Sequence, residues 1–214
     1  MRIDEYLKYD ATGLANLIAR GEVSAAAVLE TAIAQIEHLN PSLNAVVTRM
    51  YDQARAFVPD AAAPLAGVPY LVKDLNTSCA GVPATNGSAA LAQQMPQQDS
   101  ELVARLRRAG LNIVGKTNTP ELGLNVCTLP ALFGATVNPF DAQRSAGGSS
   151  GGSACAVASG MLPAAFSGSR PHALGFLRHV GKCMAIPAMA SSIRLAAHGL
   201  KPKLGGPFSA LSFG

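Results

Sequence analysis

The run Gly147-Gly148-Ser149-Ser150-Gly151-Gly152-Ser153 constrains the fold more than any other segment. Residues this small cannot build a packed core. Its four glycines carry an ordering cost that makes sense only where the chain needs positive φ or a close backbone approach. Structure-forming apolar sequence flanks the run, which excludes a flexible linker and leaves a tight strand-to-helix turn. The helix expected after it, over residues 153–160, is built from Ala154, Cys155, Ala156, Val157, Ala158 and Ser159, small enough to pack close to a sheet. Amides at its N-terminus, with the positive dipole end, favour an anion or a developing oxyanion near the serines.

Ser24 is placed to cap a helix whose Val28, Leu29, Ile33 and Ile36 fall on one stripe, with Asn40 and Pro41 as its stop. A second helix is expected over about residues 43–57, a surface connection over 59–64, and a buried strand with a charged end over 67–74. Asp99 or Ser100 caps a helix through Leu102, Val103 and Leu106, which Gly110 closes, and a short strand over 111–116 follows. The order helix, glycine, strand is an α/β signal. From about Ser167 neither period is clean, and no internal repeat is present.

With 214 residues, 49% hydrophobic and 14% charged, the chain suits one domain with a buried core rather than disorder. The net charge of +4 is scattered, Arg105, Arg107 and Arg108 read as a solvated helix face, and Trp is absent, so no nucleic-acid surface is expected. Cys79, Cys127, Cys155 and Cys183 form no close pair, which supports neither a metal site nor a disulfide framework. The start Met1-Arg2-Ile3-Asp4-Glu5 lacks an apolar signal core, and no apolar run reaches the ~18 residues of a membrane span. A cytoplasmic location without a membrane partner is the expectation.

Residues 110–117 match the phosphate-loop pattern G-x-x-x-x-G-K-[ST]. Such a loop needs a strand before it and a helix after its lysine, whereas here a helix precedes Gly110 and Pro120 soon follows Thr117. Nucleotide binding is therefore the minor alternative to a glycine cap plus strand. The serines of the small-residue run need a base to attack anything. None of His38, His172, His179 and His198 sits in a triad-like motif. Lys73 is the better candidate, because desolvation at a strand end lowers a lysine pKa. From the residues alone, a Lys73 that snorkels to solvent and pairs with Asp74 is as good a reading.

Taken together, residues 65–74 and 80–88, Asp99-Ser100, 102–106, 115–121, 132–134, 138–141 and 147–153 resemble the amidase signature family. Its members hydrolyse or transfer carboxamide groups. The resemblance runs in ordered blocks over roughly residues 24–166, and it accounts for residues 110–117 as a family strand. It implies an α/β fold with a mixed sheet core flanked by helices, here truncated, and a Ser-Ser-Lys site that uses no metal or cofactor. Lys73 would be the ultimate base and Ser149 the relay, preceded by a cis peptide at Gly148–Ser149. Ser150 would support the site by hydrogen bonds, with Gly147 and Gly148 shaping the turn.

The nucleophile would be a second serine in a Gly-Gly-Ser-Ile-Arg-like block, and there the chain departs from the family. Spacing of about two dozen residues from the relay serine lands on Ala173. The segment Ile186-Pro187-Ala188 would place Cys183 there instead, and Ser192-Ile193-Arg194, followed by Gly199-Leu200-Lys201-Pro202, would place Ser192. Residues 167–214 are accordingly expected to diverge from the family, as a frameshift or rearrangement would leave them. Residues 1–214 are read as a single incomplete domain, family-like over 1–166. One functional reading is hydrolysis of a small-molecule carboxamide with Ser192 attacking. The other, favoured by a lost nucleophile, is an impaired or non-catalytic remnant that associates with a partner chain or a second copy of itself.

Overall fold

A computed structural model describes residues 1–168. In chain order these form α1 (Ile3–Tyr6), α2 (Ala11–Ala19), α3 (Ala25–Leu43), β1 (Val46–Arg49), α4 (Tyr51–Ala56), β2 (Pro69–Lys73), α5 (Glu101–Arg108), β3 (Asn112–Thr117) and α6 (Gly151–Ala158). The fold is mixed α/β, with helices around a small mixed sheet.

The sheet has the order β1-β3-β2. β1 runs antiparallel to β3, with Val46 opposite Thr117. β2 runs parallel to β3, with Pro69 opposite Asn112 and Lys73 opposite Thr117. A parallel pair needs a crossover connection, and α5 lies within it. Every residue of β2 and β3 is buried, as expected for parallel strands covered on both faces. The Phe166 amide donates to Leu71 O at 2.8 Å, and Leu71 bridges Ala165 in parallel. Pairing therefore continues past the other edge of β2.

Helix α3 begins where its cap requires, with Ser24 Oγ accepting from the Ala27 amide at 3.1 Å. Its stripe of Val28, Leu29, Ile33 and Ile36 is buried, and each such side chain contributes roughly 1.5–3 kcal/mol. The helix does not stop at Asn40 and Pro41. It runs through Pro41 to Leu43, and Asn44 closes it at φ +50°. Proline removes one backbone donor close to the end. The Asn40 side chain shapes the exit, its Oδ1 accepting from the Ala45 and Val46 amides, both at 2.8 Å.

The helix expected over about 43–57 is half strand. Val46, Val47 and Thr48 are β-branched, and Val46 and Thr48 find partners in β3 on either side of a register shift, so only α4 is helical. Further along, Ser100 is the cap of α5, its Oγ 3.5 Å from the Val103 amide. Asp99 instead accepts from the Ala80 amide at 2.8 Å and from Arg107 at 2.9 Å. Gly110, at φ +89°, turns the chain into β3. The arginine face is only partly solvated: Arg105 and Arg108 meet Glu101 at the surface, whereas Arg107 lies 5.6 Å over the Phe57 ring.

Cys79, Cys127 and Cys155 are free thiols, and Cys183 lies outside the described residues. Among the described residues no helix is long and apolar enough to cross a membrane.

Candidate active site

β2 delivers Lys73 to its C-terminal end with the side chain buried, 2% exposed. Its Nζ lies 2.6 Å from Ser149 Oγ. Desolvation lowers the Lys73 pKa from its ordinary 10.5 to about 8, because burial disfavours the ammonium over the neutral amine.

The pairing of Lys73 with Asp74 is not what forms. Asp74 meets a different lysine, with Lys116 Nζ 3.3 Å from Asp74 Oδ1 and both side chains enclosed. Thr85 Oγ1 donates to Asp74 Oδ2 at 2.5 Å, and Lys116 also donates to Pro83 O at 2.6 Å. The lysine of the phosphate-loop pattern thus belongs to a buried ion pair on β3. No α-helix opens at Thr117, and residues 118–120 are irregular, so residues 110–117 are a turn and a strand.

The small-residue run supplies the turn, but it is not outside the core. Ser150, Gly151, Gly152 and Ser153 are all buried, since α6 starts at Gly151 and seats its first turn against the end of β3. A Cβ on Gly152 would lie 2.4 Å from the Asn118 amide nitrogen, and one on Gly151 would lie 2.3 Å from Thr128 Oγ1. Close approach is the reason for glycine at both positions. Gly147 enters the turn at φ +73°, and the Gly148–Ser149 peptide is cis. Ser150 occupies the N-cap position of α6.

Hydroxyl groups tie this turn to the sheet. Thr119 Oγ1 donates to Ser149 O at 3.2 Å. Thr117 Oγ1 and Ser153 Oγ lie 2.7 Å apart, and Ser153 Oγ donates to Phe166 O at 2.6 Å. Asn118 joins the layers, donating through Nδ2 to Gly134 O and Thr136 Oγ1, each at 3.0 Å. Sequence reasoning misses these supporting roles, and those of Lys116 and Thr128 with them. Their one visible signal is the polar stretch Lys116-Thr117-Asn118-Thr119 at the end of an otherwise apolar strand.

Ser192 and Cys183, the candidate nucleophiles, lie outside the described residues, as do Ala173, His172, His179 and His198. His38 is exposed on α3. Among the described residues no cluster of three or more His, Cys, Asp or Glu side chains is placed to hold a metal. A neutral Lys73 amine at hydrogen-bond distance from the Ser149 hydroxyl can accept a proton.

The family model described as Amidase matches residues 27–169. A 6-aminohexanoate-cyclic-dimer hydrolase of Paenarthrobacter ureafaciens is 43% identical over 158 residues, which cover 73% of this chain and 32% of that protein. A glutamyl-tRNA(Gln) amidotransferase subunit of Salinispora arenicola is 43% identical over 162 residues, 72% of this chain and 33% of the relative. The solved structure of 6-aminohexanoate cyclic dimer hydrolase complexed with substrate superposes with a TM-score of 0.69 at 41% identity, covering 73% of this chain and 33% of that one. The chain spans about a third of the length of the curated relatives it matches.

Proposed function

The chain belongs to the amidase family, and on that premise we propose that Lys73 and Ser149 form the base and relay of an amide-hydrolysing Ser-Ser-Lys site. The observation that carries this is the 2.6 Å contact between Lys73 Nζ and Ser149 Oγ. It sits in a site dry enough to lower the lysine pKa to about 8, near the pH at which a general base works best.

In this mechanism neutral Lys73 takes the proton of Ser149 as Ser149 takes the proton of the nucleophile. The freed oxygen attacks the amide carbonyl. The proton returns through Ser149 to the departing nitrogen as the C–N bond breaks, leaving an acyl-enzyme. Water repeats the cycle, releasing a carboxylate and regenerating the hydroxyl. Ser192 is the nucleophile the sequence offers, Ser150 braces the turn, and the substrate is a small-molecule carboxamide. No step calls on a metal or cofactor.

Release of ammonia or amine from simple carboxamides tests the reading. Hydrolysis should be lost separately in Lys73→Ala, Ser149→Ala and Ser192→Ala. Wild-type turnover in either of the first two overturns the base and relay assignment, and in the third it removes Ser192 as nucleophile.

The fall of Ala173 at the family-spaced position supports a second reading, a non-catalytic chain that depends on a partner chain or a second copy. It requires that purified protein hydrolyse no amide at any pH and sediment as a complex. A monomer with amidase activity defeats it.

A further inference from the structure

We propose that Thr128 is a positioning residue for Ser149, acting as a clasp across the turn that carries it. This rests on the base and relay reading given above. Thr128 is 1% exposed. Its Oγ1 donates to Gly147 O at 2.7 Å and accepts from the Gly151 amide at 3.2 Å. Its own amide donates to the same Gly147 O at 2.9 Å. A hydroxyl has one donor to give, and here both its donor and an acceptor position are used.

The two groups it joins bracket Ser149, two residues to either side. The Gly151 amide is in the first turn of α6, where backbone donors have no partner within the helix. Thr128 is anchored outside the turn, because its carbonyl accepts from the Thr136 amide at 2.9 Å. Thr136 in turn takes a hydrogen bond from Asn118 Nδ2 at 3.0 Å and donates to Asn44 O at 2.8 Å. One side chain therefore sets the separation of the turn's ends against a frame that reaches β3. The missing Cβ of Gly151, which would lie 2.3 Å from that hydroxyl, leaves room for the clasp to close. With Thr119 holding Ser149 O, the relay hydroxyl is left directed at Lys73.

The role belongs to the hydroxyl, not to the methyl group, and this makes it separable from packing. Thr128→Val keeps the volume and deletes the clasp, and Thr128→Ser keeps the clasp. For amide hydrolysis, Thr128→Val is expected to lower kcat by roughly a hundredfold with KM little changed, as misplacement of a reacting group by about 1 Å does. Thr128→Ser should stay within about threefold of wild type, since the clasp is intact. In crystal structures of the variants, the contact of 2.6 Å between Lys73 and Ser149 should open in Thr128→Val and persist in Thr128→Ser.

A Thr128→Val enzyme with wild-type kcat, or a Thr128→Ser enzyme as impaired as Thr128→Val, overturns the proposal. If wild-type protein hydrolyses no amide, the functional reading fails, and the crystal structures alone decide the clasp. An unchanged contact in Thr128→Val then refutes it, and an opened one supports it. Should Thr128→Val not fold, Gly151→Ala is read the same way, because its methyl group displaces the hydroxyl.

Discussion

Lys73 and Lys116 stand on neighbouring parallel strands one position apart in register, and both are buried, yet their surroundings differ. Lys116 faces a carboxylate and a carbonyl oxygen, so its charge is compensated and the group is structural. Lys73 faces a hydroxyl, and its pKa falls to about 8. Burial by itself does not make a base. What separates the two is that Asp74, next to Lys73 in sequence, gives its carboxylate to the other lysine and to Thr85.

The two lysines should differ most in catalysis. Lys73→Ala and Ser149→Ala should each lower amide hydrolysis by about a hundred- to ten-thousandfold, the range for loss of general base catalysis, with folding retained. Initial rates at fixed substrate check this. Lys116→Met should do the reverse and act on stability, since it leaves Asp74 buried without its cation at a cost of roughly 3–5 kcal/mol. Urea denaturation measures the loss, and adding Asp74→Asn should recover part of it.

The pH dependence of stability sharpens the contrast. The folded pKa of Lys73 lies below its ordinary value, so between about 8 and 10.5 the unfolded chain holds a proton that the folded one has released. Stability should therefore rise with pH across that window, by about 1.4 kcal/mol per pH unit from this group, and the contribution is lost as pH falls to 8. Lys73→Met should abolish this slope in denaturation curves taken from pH 7 to 10.5. Ser24→Ala removes the cap of α3 and should cost only about 1 kcal/mol, with hydrolysis unchanged. A larger activity effect there would show that the site is coupled to the helical layer.

Where neighbours in sequence decide the structure, the chain is legible. Ser24, Ser100 and Gly110 mark helix ends by local chemistry, β2 shows as a short apolar run with a charged end, and β3 as the short stretch that follows the glycine. β1 is hidden because its strand state depends on pairing with β3, some seventy positions on, whose register no local pattern reveals. The site divides in the same way. Lys73 and the serine run stand out individually, and the residues offer Lys73 as a base for the serines, but the relay role of Ser149 comes only with the family resemblance. The residues alone leave Lys73 paired with Asp74 as an equal choice. The partnership of Asp74 with Lys116 and the clasp of Thr128 on the turn at Gly147 and Gly151 are long-range contacts, visible only once the strands are aligned.

Lys73 is a buried lysine without a carboxylate partner among the described residues, and the proposed mechanism holds it as a base against Ser149. Its titration can be followed directly by NMR of the labelled lysine ε-carbon, with Lys73→Arg to assign the signal. A midpoint near 8 is the result expected. A midpoint at the ordinary lysine value of 10.5 would contradict the claim.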